Sequence, residues 1–266
     1  MDIQELKNNE VSHLASLQPT GWQNILPIFD FYTNSDFCFS VKVNINNKII
    51  GIGALIIHNE IAWLAHIIVH KENRNKGIGN LITQALINIS DTQKCQTIYL
   101  IATDLGAPVY EKLGFRTETE YLFFKNINNE KKWTTSNNIE LFTNDFKTQI
   151  ADLDKQVSGE KRMFHIERHL QNGYVYKENN ILEGFYLPSF GEGLIIANTS
   201  SAGLELMKMR LNTKKDAIFP SNNLMAKDFM NNNNHTENSK AKRMILGKER
   251  IVLYKNIYNR IGGNIG

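Results

Sequence analysis

One junction constrains this chain more than any other feature. A nearly unbroken apolar run, Ile61–Val69, gives way to the polar residues 70–76, then Gly77-Ile78-Gly79, then apolar side chains at Leu81, Ile82, Ala85, Leu86 and Ile89. The run is short and rich in isoleucine, which favours a buried strand over a helix. The spacing that follows puts one apolar stripe on a helix. Strand, glycine turn and helix in that order predict an α/β (α+β) domain with a mixed sheet. Upstream, two β-rich runs in residues 37–57 flank Asn46-Asn47, the mark of a hairpin. Downstream, residues 97–102 read as a strand, residues 107–113 as a short helix closed by Gly114, and residues 115–125 as a returning strand.

The junction itself can do chemistry. Glycines between a buried strand and a helix start let the backbone approach a bulky ligand, while successive N–H groups and the helix dipole favour a phosphate there. Arg74 and Lys76 add positive charge at the rim. This is not a Walker A loop, because no Gly-Lys-Ser/Thr follows, and Ile82 stands where a dinucleotide fingerprint needs its third glycine.

Residues 126–138 have no sustained apolar period and are rich in loop formers, so the expected domains are 1–130 and 131–266. The second half predicts a strand at 139–142, a helix at 145–157, strands at 244–246 and 251–254, and a loop at 231–234. It contains no glycine loop between strand and helix. A formal charge of +3, from 30 Lys and Arg against 27 Asp and Glu, argues against nucleic acid and leaves room for an acidic small molecule. Lys240, Lys242 and Arg243 read as a solvated strand edge. No apolar stretch is long enough to span a membrane, and residues 1–7 lack the features of a signal peptide, so the expected address is cytoplasmic. Cys38 and Cys95 lack partners at metal-ligand spacing, and His165 with His169 do not form a His-Glu-x-x-His motif, so no metal is expected and these histidines read as surface residues.

At this point the chain resembles the GCN5-related N-acetyltransferases (GNAT). Their coenzyme A loop, Arg/Gln-x-x-Gly-x-Gly/Ala, is filled by Arg74, Gly77 and Gly79. The valine five residues before the arginine is Val69, although Lys71 replaces a frequent proline. Residues 107–115 look like the family's Tyr-x-x-Leu-Gly-Phe signature, with Tyr110 in the tyrosine position. A closer resemblance is to the subgroup in which a second, degenerate acetyltransferase-like domain follows the first. Its Asp-Ala-Thr-x-x-Gly-x-x-x-Tyr is matched by residues 101–110 except at Ile101. Asp154, Gly159 and Arg162 look like its Asp-x4-Gly-x2-Arg, and Arg243-Met244 with Gly247 like its Arg-Met-x-x-Gly.

The resemblance implies two tandem GNAT-like domains and an N-acetyltransferase that passes the acetyl group of acetyl-CoA to a primary amine by direct attack. It implies that Arg74, Asn75, Lys76, Gly77, Ile78, Gly79 and Asn80 hold the pyrophosphate, and that the pantetheine runs along Ile67, Ile68 and Val69. Thr103 stands where many members place a pantetheine-binding asparagine. A bulge would splay the Ile61–Val69 strand, the Ile67 N–H would hold the thioester oxygen, and Tyr110 would protonate the thiolate. The base stays open: Trp63 occupies the matching position and cannot accept a proton, leaving Glu60, His66, His70 or a relayed water. Tyr110 and His66 also have plain readings as core residues, and Asp154 with Arg162 either lines a substrate cleft or forms a structural ion pair. The competing reading is a catalytically inactive acyl-CoA sensor or regulatory module. Amino acid, polyamine, aminoglycoside and protein amine all fit as acceptors, and oligomeric state stays open.

Overall fold

The structure, a computed structural model, describes residues 2–127 and 132–266. Its chain order is β1 (Asp2–Glu5), α1 (Ile25–Thr33), β2 (Cys38–Ile45), β3 (Lys48–His58), β4 (Ile61–Val69), α2 (Ile78–Thr92), β5 (Thr97–Ala102), α3 (Ala107–Glu111) and β6 (Arg116–Lys125). There follow β7 (Ile139–Leu141), α4 (Lys147–Ser158), α5 (Met163–Ile166), β8 (Tyr174–Glu178), β9 (Ile181–Leu187) and β10 (Leu194–Ala197). The chain continues through α6 (Ser200–Leu211), β11 (Asp216–Pro220), α7 (Leu224–Asn232), β12 (Ser239–Gly247) and β13 (Ile257–Asn259). No helix among the described residues is long and apolar enough to cross a membrane.

The chain forms two compact units, but they do not divide at a single break in residues 126–138, of which 128–131 lie outside the described residues. The first unit runs to Thr117 and takes in Met244–Glu249 and Gly263–Ile265. The second holds Glu118–Arg243 and Arg250–Gly262. The physical reason is strand pairing. The end of β12 lies beside β5, the Lys248 N–H donates to the Gln96 carbonyl at 2.8 Å, and the Thr97 hydroxyl donates to the Lys248 carbonyl at 2.7 Å.

In the first unit the strand order is β1-β2-β3-β4-β5, followed by residues 244–247 of β12. Asn46 and Asn47 both take left-handed backbone angles in the β2–β3 turn, as a two-residue hairpin turn requires. Strand β4 is antiparallel to β3 and parallel to β5. Helix α2 covers the sheet with Ile78, Ile82 and Leu86 buried in one cluster with Leu55, Leu64 and Leu100. Of the expected stripe only Ile82 and Leu86 are buried, Leu81, Ala85 and Ile89 lie half-buried at its border, and Thr83 and Ile87 join the buried face.

In the second unit β6 pairs antiparallel with β11, and residues 239–243 of β12 lie along its other side. A separate antiparallel sheet has the order β13-β10-β9-β8-β7. The core joins Phe124 and Phe219, stacked at 5.3 Å, to Leu206, Met207 and Tyr258. Two local expectations fail here. Residues 251–254 are not a strand: the Tyr254 hydroxyl donates to Glu118 at 2.6 Å, the Arg243 guanidinium lies over its ring, and β13 begins only at Ile257. Residues 231–234 are not an open loop, because α7 continues to Asn232 and the Met230 carbonyl accepts from Asn233 and His235.

Candidate active site

Strand β4 leaves its ladder on both edges. Toward β5 the pairing stops at Trp63 and Tyr99, after which the two strands diverge. Toward β3, Ala54 pairs with Ala65 and Ile52 with Ile68, so His66 and Ile67 together stand opposite Gly53. This is the anticipated β-bulge, and His66 carries it with a left-handed φ of 48°. The backbone at Ile67 therefore lies where the sheet opens, with Ile68 buried and Ile67 and Val69 half-buried beside it.

The loop after β4 doubles back tightly. The His70 N–H donates to Ile50 at 2.8 Å, Arg74 Nε donates to the Val69 carbonyl at 3.2 Å, and Lys76 Nζ to the Glu72 carbonyl at 3.0 Å. Asn75 and Gly77 are left-handed, at φ 60° and 79°. The first helical hydrogen bond of α2 runs from the Leu81 N–H to the Gly77 carbonyl, and no side chain caps the helix. The amides of Ile78, Gly79 and Asn80 thus precede the hydrogen-bonded ladder at the positive end of a 15-residue helix. A Cβ placed on Gly79 would find only a Val69 methyl, at 3.9 Å. Uncapped amides, open space over Gly79 and cations at the rim fit a diphosphate such as that of coenzyme A.

Tyr110 lies on α3, half-buried with its ring edge against Phe115 at 6.0 Å. Burial pushes its hydroxyl pKa up to about 12, so it keeps its proton at neutral pH. Tyr110, Ile67 and Val69 pack on the same core cluster. Thr103 is exposed, and its carbonyl accepts from Gly106 and Ala107 to start α3.

His66 lies among aromatic rings that nothing in the sequence pointed to. Trp22, Phe29 and Tyr32 surround it at centroid distances of 5.9, 6.0 and 5.7 Å. Burial lowers its pKa to about 4. Glu60 drops out as a base: it sits in the β3–β4 turn, six residues and ~20 Å along the strand from the bulge, and binds the Gln96 amide at 2.9 Å. Trp63, at the position where a base was sought, is fully buried against Tyr99.

The acetyltransferase (GNAT) domain family matches residues 34–117, the stretch that contains the bulge, the loop and Tyr110. That match covers most of the first unit. A candidate acetyltransferase from Pyrococcus horikoshii has the same fold at 19% identity, with a TM-score of 0.82, covering 100% of this chain and 95% of that one. The tandem GNAT protein of the clavulanic acid pathway aligns at 10% identity and a TM-score of 0.60, over 92% of this chain and 98% of its own. A candidate acetyltransferase from Thermoplasma acidophilum aligns at 11% and 0.58, over 93% and 100%. The chain therefore has the tandem GNAT fold. No curated protein matches it in sequence.

The second GNAT-like unit has a strand-to-helix junction of a different kind, from β10 to α6. There the Thr199 hydroxyl caps the helix by accepting from the Ala202 N–H at 3.3 Å, and Asn256 donates to the Ala197 carbonyl at 2.7 Å. Its helix N-terminus is occupied by its own chain. Asp154 and Arg162 form a buried bidentate pair, with Nε to Oδ2 at 3.1 Å and the terminal nitrogen to Oδ1 at 2.9 Å. Gly159 between them ends α4 in the left-handed form. A cavity of about 340 Å³ beside the pair is lined by charged side chains of both signs, including Asp152, Lys155 and Lys161.

Arg243 is buried and 3.4 Å from Glu118 and β12 is no edge strand, so the solvated-edge reading fails there, while Lys240 is exposed and pairs with Glu120 at the surface. His165 is buried rather than on the surface, and His169 binds Ser189 and stacks on Phe190. The helix breaks between them at Glu167, so their spacing of four does not hold one face.

Proposed function

We propose that the GNAT domain transfers the acetyl group of acetyl-CoA to a primary amine by direct attack in a ternary complex. The observation that carries this reading is the uncapped start of α2, with its amides and the open space over Gly79, directly after a bulged strand end. Acetyl-CoA supplies an acyl group already activated as a thioester, so no acyl-enzyme is needed. Residues 74–80 hold the diphosphate, and Ile67, Ile68 and Val69, with Thr103, border the pantetheine arm. The Ile67 N–H orients the thioester oxygen where negative charge develops. Tyr110 keeps a proton for the sulfur as the C–N bond forms and the C–S bond breaks. The acceptor nitrogen loses one proton, and the products are an amide and a free thiol.

The second unit, from its capped α6, binds no coenzyme of its own in this proposal. The buried Trp63 in the place sought for a base favours a second reading, an acyl-CoA-binding sensor without turnover. A thiol-release assay with acetyl-CoA and a panel of amines separates the two. Acceptor-dependent release that falls in Tyr110→Phe supports the enzyme. Calorimetric binding with no release across amino acids, polyamines, aminoglycosides and peptide amines supports the sensor, and absence of binding overturns both.

A further inference from the structure

The left-handed backbone at the bulge places the His66 ring against α1, where Nδ1 is 3.0 Å from the Tyr32 hydroxyl oxygen. That same oxygen is 3.0 Å from Nδ2 of Asn264. Tyr32 is fully buried, and Asn264 comes from the distant segment that belongs to the first unit. An amide nitrogen only donates, so the Tyr32 oxygen accepts from Asn264, and of its two partners only His66 Nδ1 can take the buried hydroxyl proton, which would otherwise go unused. A neutral imidazole whose Nδ1 accepts carries its proton on Nε2. We infer that Asn264 and Tyr32 are positioning residues that hold His66 as the neutral Nε2–H tautomer, making it a hydrogen-bond donor at the bulge and not a base.

The surroundings agree with a neutral ring. Trp22 and Phe29 meet the ring at steep interplanar angles of 76° and 74°, Tyr32 is the titratable group bonded to it, and the Cys38 thiol is the titratable group that acts on Tyr32. Burial alone accounts for the lowered pKa of His66. The chemical use of this tautomer rests on the acetyl-transfer proposal. In that reaction His66 offers an N–H on the residue before Ile67 while its lone pair is engaged by Tyr32, so the proton shed by the acceptor nitrogen goes to His70 or to a relayed water.

The test needs no co-substrate. The full chain is labelled with ¹⁵N-histidine, long-range ¹H–¹⁵N correlation reads which ring nitrogen of each of the seven histidines is protonated, and loss of one set of signals in His66→Asn assigns His66. The expected result is protonated Nε2 and bare Nδ1, unchanged from pH 8 to pH 5. Asn264→Asp should reverse the tautomer, because a carboxylate accepts the Tyr32 proton and the Tyr32 oxygen then accepts from Nδ1–H. Protonated Nδ1 in the unmodified chain, or titration of His66 above pH 6, overturns the inference. An unchanged tautomer in a folded Asn264→Asp variant overturns the role of Asn264. Failure of thiol release would leave these spectra untouched, so the two proposals fail separately.

Discussion

Replacing Gly79 with leucine separates the stability of the loop from its proposed use. Gly79 is the second residue of α2, its φ is not left-handed, and its added Cβ would meet only a methyl at ordinary contact distance. Leucine, close to alanine in helix propensity, exceeds glycine by about 0.8 kcal/mol in a helix interior, and roughly half of that in a first turn is ~0.4 kcal/mol of added stability. In a chain of this size that raises Tm by about 1–2 °C. Beyond that Cβ, the rest of the leucine side chain fills the space over the amides, which alanine, accepted at this position in the family's loop, would leave open. Losing one charge-assisted hydrogen bond to a phosphate costs about 2 kcal/mol, which is roughly a 30-fold weaker Kd. Calorimetric titration with acetyl-CoA and a thermal melt without it measure the two effects on one sample. An unchanged Kd, or a loss of affinity that comes with a lowered Tm, would refute the phosphate-cradle reasoning.

Tyr110→Phe should lower thiol release by about 100-fold, the lower range for a positioned proton donor, while acetyl-CoA affinity measured by calorimetry changes little. With its pKa near 12, Tyr110 should contribute no tyrosinate absorbance below about pH 11, read as the difference between the native chain and the variant. His66 has a folded pKa of about 4 against an ordinary value of 6.5, so its contribution is full above pH 6.5 and is lost as pH falls toward 4. His66→Asn, which tolerates the left-handed backbone, should flatten the acid side of the urea-midpoint profile by up to ~3 kcal/mol. Asp154→Ala leaves the Arg162 charge buried without its carboxylate and should destabilise the second unit by about 3–5 kcal/mol. The pair Asp154→Leu with Arg162→Met should recover most of that loss in the same denaturation assay.

The parts of this protein written in local pattern were legible. The isoleucine run of β4, the glycines after it and the stripe of α2 each carry a period or a punctuation mark that works within about 20 residues, and the Asn46-Asn47 turn fixes its own hairpin. Long-range partners were not legible. Met244–Leu246 reads as a strand, yet nothing in it states that β5 is its neighbour. Ile251 to Tyr254 has strand composition, but a buried ion pair and a stacked guanidinium decide its conformation. At the site, the loop and Tyr110 followed from motif spacing, whereas the ring cluster around His66 joins residues 22, 29, 32 and 264, which share no pattern.

The placement of residues 244–249 in the first unit sets an order of events during synthesis. A nascent chain that has delivered Thr117 holds every residue of the β4–α2 loop but lacks the strand that flanks β5. That strand emerges about 130 residues later, roughly 7–26 s at a ribosomal rate of 5–20 residues per second. Throughout that interval β5 is an open strand edge, the kind that recruits other chains. The first unit therefore cannot complete its sheet ahead of the rest, and the β5 edge stays open until the chain's own later strand arrives.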